Sequence, residues 1–371
     1  NVAIGTSALG SDTLGSHSVA VGRRALLEQN FSTATDVYNV AVGSSAGQNV
    51  TTGQYNNLVG GQAGLSLTTG GRNTVNGFGA LGADTLGSRA VAIGFGALDA
   101  QNFTTATDNY NVAVGYDAGG AVTTSIQNTL IGGLAGDALT TSAGLNVAVG
   151  YAALSSDTLG ANSVAVGRAA LANQNFTTAT DTYNTAVGYS AGSSVTTGFR
   201  NTLIGGQAGD ALTSGNNNVA VGMNALTTDT LGDRSVAIGI DALSSQNLTT
   251  STDTYSVAVG YHAGLSTTTG VHNVIIGGLA GDALTDADNN VAIGRSALTS
   301  DTLGSTSVAI GYAALFNQNF TTATNTYNVA IGFEAGNDIT TAVQNTLIGS
   351  LAGDALTTGD SNIAVGYTAL S

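Results

Sequence analysis

Tyrosine recurs at a spacing that could support ligand binding. One tyrosine returns at a regular interval beside a polar stretch: Tyr38, Tyr110, Tyr183, Tyr255 and Tyr327. Exposed aromatic rings on such a polar ledge could stack on sugars. The alternative, which we favour, is that these rings and the nearby phenylalanines cap the local core or brace a neighbouring chain. The phenylalanines are Phe31, Phe103, Phe176 and Phe320.

Aspartate fills two further repeated positions. The first set is Asp12, Asp84, Asp157, Asp229 and Asp301, and the second is Asp137, Asp210, Asp282 and Asp354. Calcium requires six to eight oxygens close together. Aspartates of one set are four coils apart, roughly 19 Å at ~4.8 Å per coil, so they cannot share an ion within one chain. We predict that they accept backbone N–H groups in turns, with calcium binding as the alternative.

Other chemistries find little support in the composition. The three histidines, His17, His262 and His272, share no repeated position, so no base is placed regularly beside a nucleophile. We expect no enzyme. The absence of Cys excludes disulfides and thiolate metal sites. With 8 basic and 23 acidic residues, the net charge of −15 disfavours nucleic acid as a partner.

These side chains are positioned by one repeated pentapeptide: Asn or Ser, three mostly apolar residues, then Gly. It occurs 21 times, and its first five glycines stand at positions 5, 22, 43, 60 and 77. The four intervals between them, of which the second is the longest, form a super-repeat of about 72 residues. Five super-repeats begin at about 1, 73, 146, 218 and 290, and a sixth begins at 362. We interpret residues 1–371 as a single repetitive segment of a longer fibre.

Each repeat is too short for a helical hairpin and carries a short β-branched run bounded by Asn and Gly. These features predict an all-β, parallel β-solenoid with 21 coils, each of about 17 or about 21 residues. We expect the Gly to turn the chain with a positive φ angle. We expect the Asn side chains to form stacked amide hydrogen bonds between coils, with a break at Ala90.

The apolar residues also suggest self-association. In Val2-Ala3-Ile4 both strand faces are apolar, and one face needs a partner beyond the thin core of the coil. The central Ala is enlarged once per super-repeat, which we interpret as a close-packed position between chains. The alternative is a single-chain solenoid with a wider core. The enlarged residues are Leu58, Leu130, Leu203, Ile275 and Leu347.

Residues 18–22, 235–239 and 307–311 resemble the head repeats of YadA-like trimeric autotransporter adhesins. Residues 184–191 are similar to related repeats of phage tail fibres and bacterial surface fibres. The resemblance implies a left-handed β-roll in a parallel homotrimer, displayed outside a cell or on a virion. The coils of that family are shorter than the coils of this chain.

The expected function is that of a structural shaft or head segment in an extracellular trimeric fibre or adhesin. Twenty steps at ~4.8 Å would make the segment roughly 96 Å long. The alternatives are a bacteriophage tail-fibre shaft and a carbohydrate-binding adhesin that uses the five tyrosines. We expect end-to-end association within the fibre, a host-surface glycan or protein as a further partner, no resident cofactor and no membrane span.

Overall fold

The computed structural model describes residues 1–141 and 144–371 as an all-β parallel solenoid of about 21 turns, and no helix occurs in those two ranges. The chain divides into two compact units, Asn1–Asn184 and Thr185–Ser371. The all-β parallel solenoid predicted from the repeats is confirmed. Each pentapeptide forms a short strand that pairs in register with the equivalent strand of the adjacent coil; for example, Ala3 pairs with Ala20.

Two kinds of strand occur in each unit. In the first unit the pentapeptide strands are Val2–Ile4, Val19–Val21, Val40–Val42, Asn57–Val59, Thr74–Asn76, Val91–Ile93, Val112–Val114, Thr129–Ile131, Val147–Val149 and Val164–Val166. Its shorter strands, outside the pentapeptides, are Gly15–Ser16, Thr35–Asp36, Gly87–Ser88, Thr107–Asp108, Gly160–Ala161 and Thr180–Asp181. In the second unit the pentapeptide strands are Thr185–Val187, Thr202–Ile204, Val219–Val221, Val236–Ile238, Val257–Val259, Val274–Ile276, Val291–Ile293, Val308–Ile310, Val329–Ile331, Thr346–Ile348 and Ile363–Val365. Its shorter strands are Gly232–Asp233, Thr252–Asp253, Gly304–Ser305 and Thr324–Asn325.

The glycine that ends each pentapeptide is required twice over. Gly22 has a φ of +133°, a conformation that side chains disfavour. A Cβ atom on Gly22 would also stand 2.4 Å from the carbonyl oxygen of Gly43 in the next coil. The positive φ predicted for this position is confirmed, and the close approach of the coils excludes any larger residue.

Asparagine couples adjacent coils, but chiefly through the backbone. The Asn39 side chain accepts a hydrogen bond from the Asn56 N–H at 2.8 Å and donates one to the Gly53 carbonyl at 2.8 Å. The predicted amide-to-amide ladder is therefore largely replaced by bonds between a side chain and the next coil's backbone. Direct amide pairs occur as well, as between Asn128 and Asn111 at 3.3 Å.

The break predicted at Ala90 is present and is repaired locally. The Ala90 N–H still donates to the Asn73 side chain at 2.9 Å, but Ala90 offers no side-chain acceptor to the following coil. There the Asn111 N–H donates instead to the side chain of Asn109, which precedes it closely in the chain, at 2.9 Å. The ladder therefore loses one side-chain link without leaving the Asn111 N–H unpaired.

The enlarged pentapeptide residues belong to the core of the single chain, so their interpretation as contacts between chains is wrong. Leu58 is fully buried inside its coil. A Cβ atom on Gly47 would lie 2.5 Å from Leu58 Cδ1, and one on Gly64 would lie 3.0 Å from Leu58 Cδ2. Leu58 thus fills the space that these two glycines leave. Other coils carry a leucine at the position of these glycines, such as Leu26, and those coils keep a central Ala.

The residues on either side of the central position face outward. In most pentapeptide strands the central residue is buried while its two neighbours are partly or largely exposed. Val42 and Ile131, for example, keep 38% and 39% of their surface accessible in the single chain. We call this surface the outer face in each unit. None of the 21 pentapeptides that form it contains a charged residue.

Candidate functional site

The five repeated tyrosines lie on the surface, each immediately before a pentapeptide. They are about half exposed and have φ angles between 46° and 55°. The neighbouring phenylalanines are instead almost fully buried, with Phe103 5% exposed. Core capping is therefore correct for the phenylalanines and wrong for the tyrosines.

In the first unit, six successive coils carry a flat side chain at this position, which we call the stacked column. Its members are His17, Tyr38, Tyr55, Arg72, Arg89 and Tyr110. The rings of His17 and Tyr38 are stacked 4.9 Å apart, and those of Tyr38 and Tyr55 are 5.8 Å apart. Arg72 lies over the Tyr55 ring at 5.5 Å, a cation–π contact. The sequence offered the signal, since all six residues precede a pentapeptide, but only the tyrosines of the long coils were singled out.

Aspartates of the long coils anchor parts of this arrangement. His17 lies 3.3 Å from Asp36, and Arg89 lies 2.9 Å from Asp108, in both cases on an exposed surface. Arg89 also lies over the Tyr110 ring at 5.5 Å. Such exposed contacts contribute little to stability, but they fix the orientation of the basic group.

The second unit contains a shorter row of stacked residues at the same coil position. Arg234 pairs with Asp253 and lies over the Tyr255 ring at 5.5 Å. The His272 ring stacks on Tyr255 from the next coil at 6.0 Å. Both faces of Tyr255 are therefore covered, as are both faces of Tyr38 in the first unit. A sugar could reach only the edges and hydroxyl groups of these two rings unless a neighbour moved.

The first aspartate set acts in turns, as predicted. Asp301 Oδ1 accepts the Gly304 N–H at 3.0 Å and the Phe320 N–H at 3.1 Å. The same turn bond joins each of the other four aspartates of the set to the glycine that follows it in the turn, at 3.0 or 3.1 Å.

Each of these aspartates also belongs to a polar cluster that sequence reasoning missed. Gln318 Nε2 donates to Asp301 Oδ2 at 2.6 Å and to Ser307 Oγ at 2.9 Å, while Gln318 Oε1 accepts from Asn328 Nδ2 at 2.9 Å. All four residues are fully buried. Burial raises the pKa of Asp301 above its ordinary 3.8, although the Gln318 amide and the backbone N–H groups oppose the change. This arrangement orders a turn and uses both carboxylate oxygens of Asp301 as hydrogen-bond acceptors.

The second aspartate set is less uniform. Asp210 Oδ1 accepts from the Thr227 hydroxyl at 2.5 Å, and Asp282 accepts from Thr299. Asp137 and Asp354 each keep one buried carboxylate oxygen without a hydrogen-bond partner. Within residues 1–141 and 144–371, no three acidic or histidine side chains are grouped as a metal site would require.

The histidines lie in separate surroundings. His262 contacts Asp241 at 3.2 Å and stacks on Tyr261 at 3.7 Å. His17 and His272 belong to the stacked arrangements described above. In the part of the chain that the structure describes, none of the three shares a hydrogen bond with a serine or threonine hydroxyl group.

A second exposed aromatic row follows the pentapeptide glycines. Phe78, Phe95 and Tyr116 stack in successive coils of the first unit at 5.7 and 5.6 Å, and each is more than half exposed. In the second unit Tyr312 and Phe333 stack at 5.2 Å. In each unit these aromatic rows and the outer face together form an apolar surface that the single chain does not cover.

The surface of the first unit also has a polar hollow of about 270 Å³ beside the stacked column. Tyr55 and Arg72 form part of its wall, with Thr52, Thr69 and Ser88. Gly71 also lines the hollow and carries no side chain; a Cβ atom there would stand 2.8 Å from the Gln54 carbonyl oxygen.

No protein-family model matches this chain, and no curated protein matches it. Among the described residues, no helix is long and apolar enough to cross a membrane.

Proposed function

We propose that this chain is a structural segment of an extracellular fibre or adhesin, in which three copies wind side by side in parallel as left-handed solenoids. The observation that carries the proposal is the outer face, an apolar and uncharged surface that the single chain leaves partly open. Soluble proteins rarely expose such continuous apolar patches unless another surface covers them.

The energetics require that many coils take part. Full burial of a Val or Ile side chain is worth ~1.5–3 kcal/mol, so covering the remaining third adds roughly 0.5–1 kcal/mol per residue. Association costs about 4–15 kcal/mol in lost freedom, which a few residues cannot offset. A long repeated face with two such residues in most coils can.

The absence of charge on the outer face favours other copies of this chain as the partners. A chain with a net charge of −15 repels its own copies wherever carboxylates meet, but the outer face carries none. Salt outside a cell screens the remaining acidic groups within ~8–10 Å. The work of the segment would be mechanical, without catalysis: to span distance and to display other binding surfaces. A bacteriophage tail-fibre shaft would use the same face in the same way.

The mass of the purified segment tests the assembly. Light scattering is expected to give three times the 36.4 kDa of one chain. The double variant Ile93→Asp/Ile131→Asp places charge on the outer face and should reduce the mass to one chain. The matched control Thr104→Asp, on the exposed long coil, should remain a trimer. A wild-type monomer at high micromolar concentration, or any other stoichiometry, contradicts the proposal.

The absence of cysteine allows a second test, because one introduced thiol is unique. A spin label at Ile131→Cys should give one short distance between copies in a parallel trimer, since equivalent residues then surround a common axis. Antiparallel packing would separate the labels and would contradict the parallel arrangement.

The version in which the tyrosines bind sugars by ring stacking is less favoured, because both faces of Tyr38 and Tyr255 are covered. A glycan array with the wild-type segment and the variant Tyr255→Gln tests it. If the wild-type segment binds a glycan and the Tyr255→Gln variant does not, sugar binding by the tyrosines becomes the favoured function.

A further inference from the structure

We propose that the hollow beside Tyr55 and Arg72 is a binding site for a carboxylated saccharide. The first observation is that Arg72 stacks on an aromatic ring without a carboxylate beside it. Among the residues that the structure describes, no carboxylate lies within ion-pair distance of Arg72, although the chain carries 23 acidic residues. Arg89, one coil further on, is paired with Asp108 at 2.9 Å. Arg72 therefore offers a positive charge to a ligand.

Stacking gives that charge a direction. Arg72 lies over the Tyr55 ring, and the opposite face of Tyr55 rests on Tyr38. A guanidinium that lies over a ring keeps N–H groups at its edge free to donate. Two parallel N–H groups match the two oxygens of a carboxylate, and such charge-assisted pairs are the stronger kind of hydrogen bond.

Gly71 lines the hollow without a side chain of its own. The equivalent positions in the following super-repeats are Gly144, Asn216, Asp288 and Asp360. Asp288 and Asp360 each accept a backbone N–H of the preceding coil at 2.8 Å, so a side chain occupies that place. At Gly71 no side chain takes that place, and the Gly71 N–H donates to Ser88 Oγ at 3.0 Å. The first super-repeat thus combines the missing side chain with the basic group.

The outer face changes character next to the same two residues. The pentapeptides that follow Tyr55 and Arg72 present the exposed polar side chains Asn57, Thr74 and Asn76. The position of Asn76 is Val or Ile in the later super-repeats, at Val149, Val221, Ile293 and Val365. A polar stretch in an otherwise apolar face is poorly suited to covering by another copy and well suited to a hydrated ligand.

The remaining wall fits the hydroxyl groups of a sugar. Thr52, Thr69 and Ser88 supply hydroxyl groups that donate and accept, and Gln54 supplies an amide. A volume of about 270 Å³ lies just below the ~300–1,000 Å³ of pockets for drug-sized ligands, which suits one or two sugar units. The carboxylate would face Arg72, and the ring hydroxyls would face the threonines.

This site does not depend on the trimer, so the two proposals can fail separately. Binding is measured by calorimetry and by saturation-transfer NMR on the full segment. The probes are matched pairs: digalacturonate against its dimethyl ester, and sialyllactose against lactose. At least one acidic probe is expected to bind, and its uncharged counterpart is expected to bind at least about tenfold more weakly.

Three variants complete the test. Arg72→Asn should weaken binding at least about tenfold, and Tyr55→Gln should weaken it less, because the charge remains but is no longer held flat. Both replacements occur naturally at the same coil position with φ near 60°, at Asn217 and Gln127, so the variants should fold. The control Arg234→Asn removes an equal charge that is already paired with Asp253 and should leave binding unchanged.

Several results would overturn the proposal: no binding of either acidic probe, equal binding of charged and uncharged partners, or undiminished binding by Arg72→Asn. Binding of a sulfated saccharide in preference to both carboxylated probes would also overturn the assignment to a carboxylate.

Discussion

The fourth and fifth super-repeats, both in the second unit, contain nearly identical buried clusters that differ at one residue. In each, a glutamine donates to an aspartate at 2.6 Å and to a serine at 2.9 Å: Gln246 in the fourth and Gln318 in the fifth. In the fifth, Asn328 donates to Gln318 Oε1. In the fourth, Ser256 stands at that position, and Gln246 Oε1 is buried without a partner.

The difference shows how the solenoid tolerates sequence drift. Ser256 still accepts the N–H of the next coil's asparagine, but at 3.4 Å, whereas Asn328 accepts the equivalent N–H at 2.9 Å. The coil geometry persists because the glycines and the central alanines hold the coils in register. The fourth cluster lacks the bond to Gln246 Oε1 and any counterpart of the Asn328 bond to the Ala342 carbonyl, so it is expected to open more readily than the fifth.

The largest effect is expected from removing the aspartate at the centre of the complete cluster. Asp301→Ala leaves the Gly304 and Phe320 N–H groups and the Gln318 amide without their acceptor, at a local cost of about 3–5 kcal/mol. Hydrogen exchange at Gly304 and Phe320 should accelerate strongly, while exchange in the fourth super-repeat stays unchanged. Unchanged protection at both amides would mean that the aspartate is not what orders this turn.

A smaller loss should follow when the fifth cluster is converted into the fourth. Asn328→Ser removes the bonds to Gln318 Oε1 and to the Ala342 carbonyl, at a cost of about 2–3 kcal/mol. Hydrogen exchange around residue 328 should then approach the rates seen around residue 256. The exposed control Thr322→Ser should have no effect, and an equal effect of both variants would argue against the hydrogen-bond explanation.

The smallest effect should be a gain. Ser256→Asn supplies the donor that Gln246 Oε1 lacks and should stabilise the fourth cluster by about 1 kcal/mol. Slower hydrogen exchange at Gly232 and Leu248, the two amides bound to Asp229, would show this gain. Faster exchange at these amides would indicate that the fourth coil cannot accommodate the larger side chain.

Part of the binding surface could have been inferred before the structure. The residue before each pentapeptide is fixed by the repeat, so His17, Tyr38, Tyr55 and Arg72 could have been aligned in one row from spacing alone. The carboxylate partners also follow the repeat, because His17 and Asp36, Arg89 and Asp108, and Arg234 and Asp253 are each separated by the same interval. What spacing could not supply is the hollow beside Tyr55 and Arg72, which depends on how the side chains of neighbouring coils fill the surface.

The period of the winding, the strand positions and the turn role of Asp12 and its equivalents follow from local chain geometry repeated 21 times, so the spacing of the residues predicts all three. The inside and outside of the coil depend instead on how the side chains of neighbouring coils pack. Parity places Ala41 and Val42 on opposite faces, but both are apolar, so hydrophobicity could not assign the core. The space beside Gly47 and Gly64 settled it: a leucine at position 58 fits there, and so the enlarged residue belongs to the core.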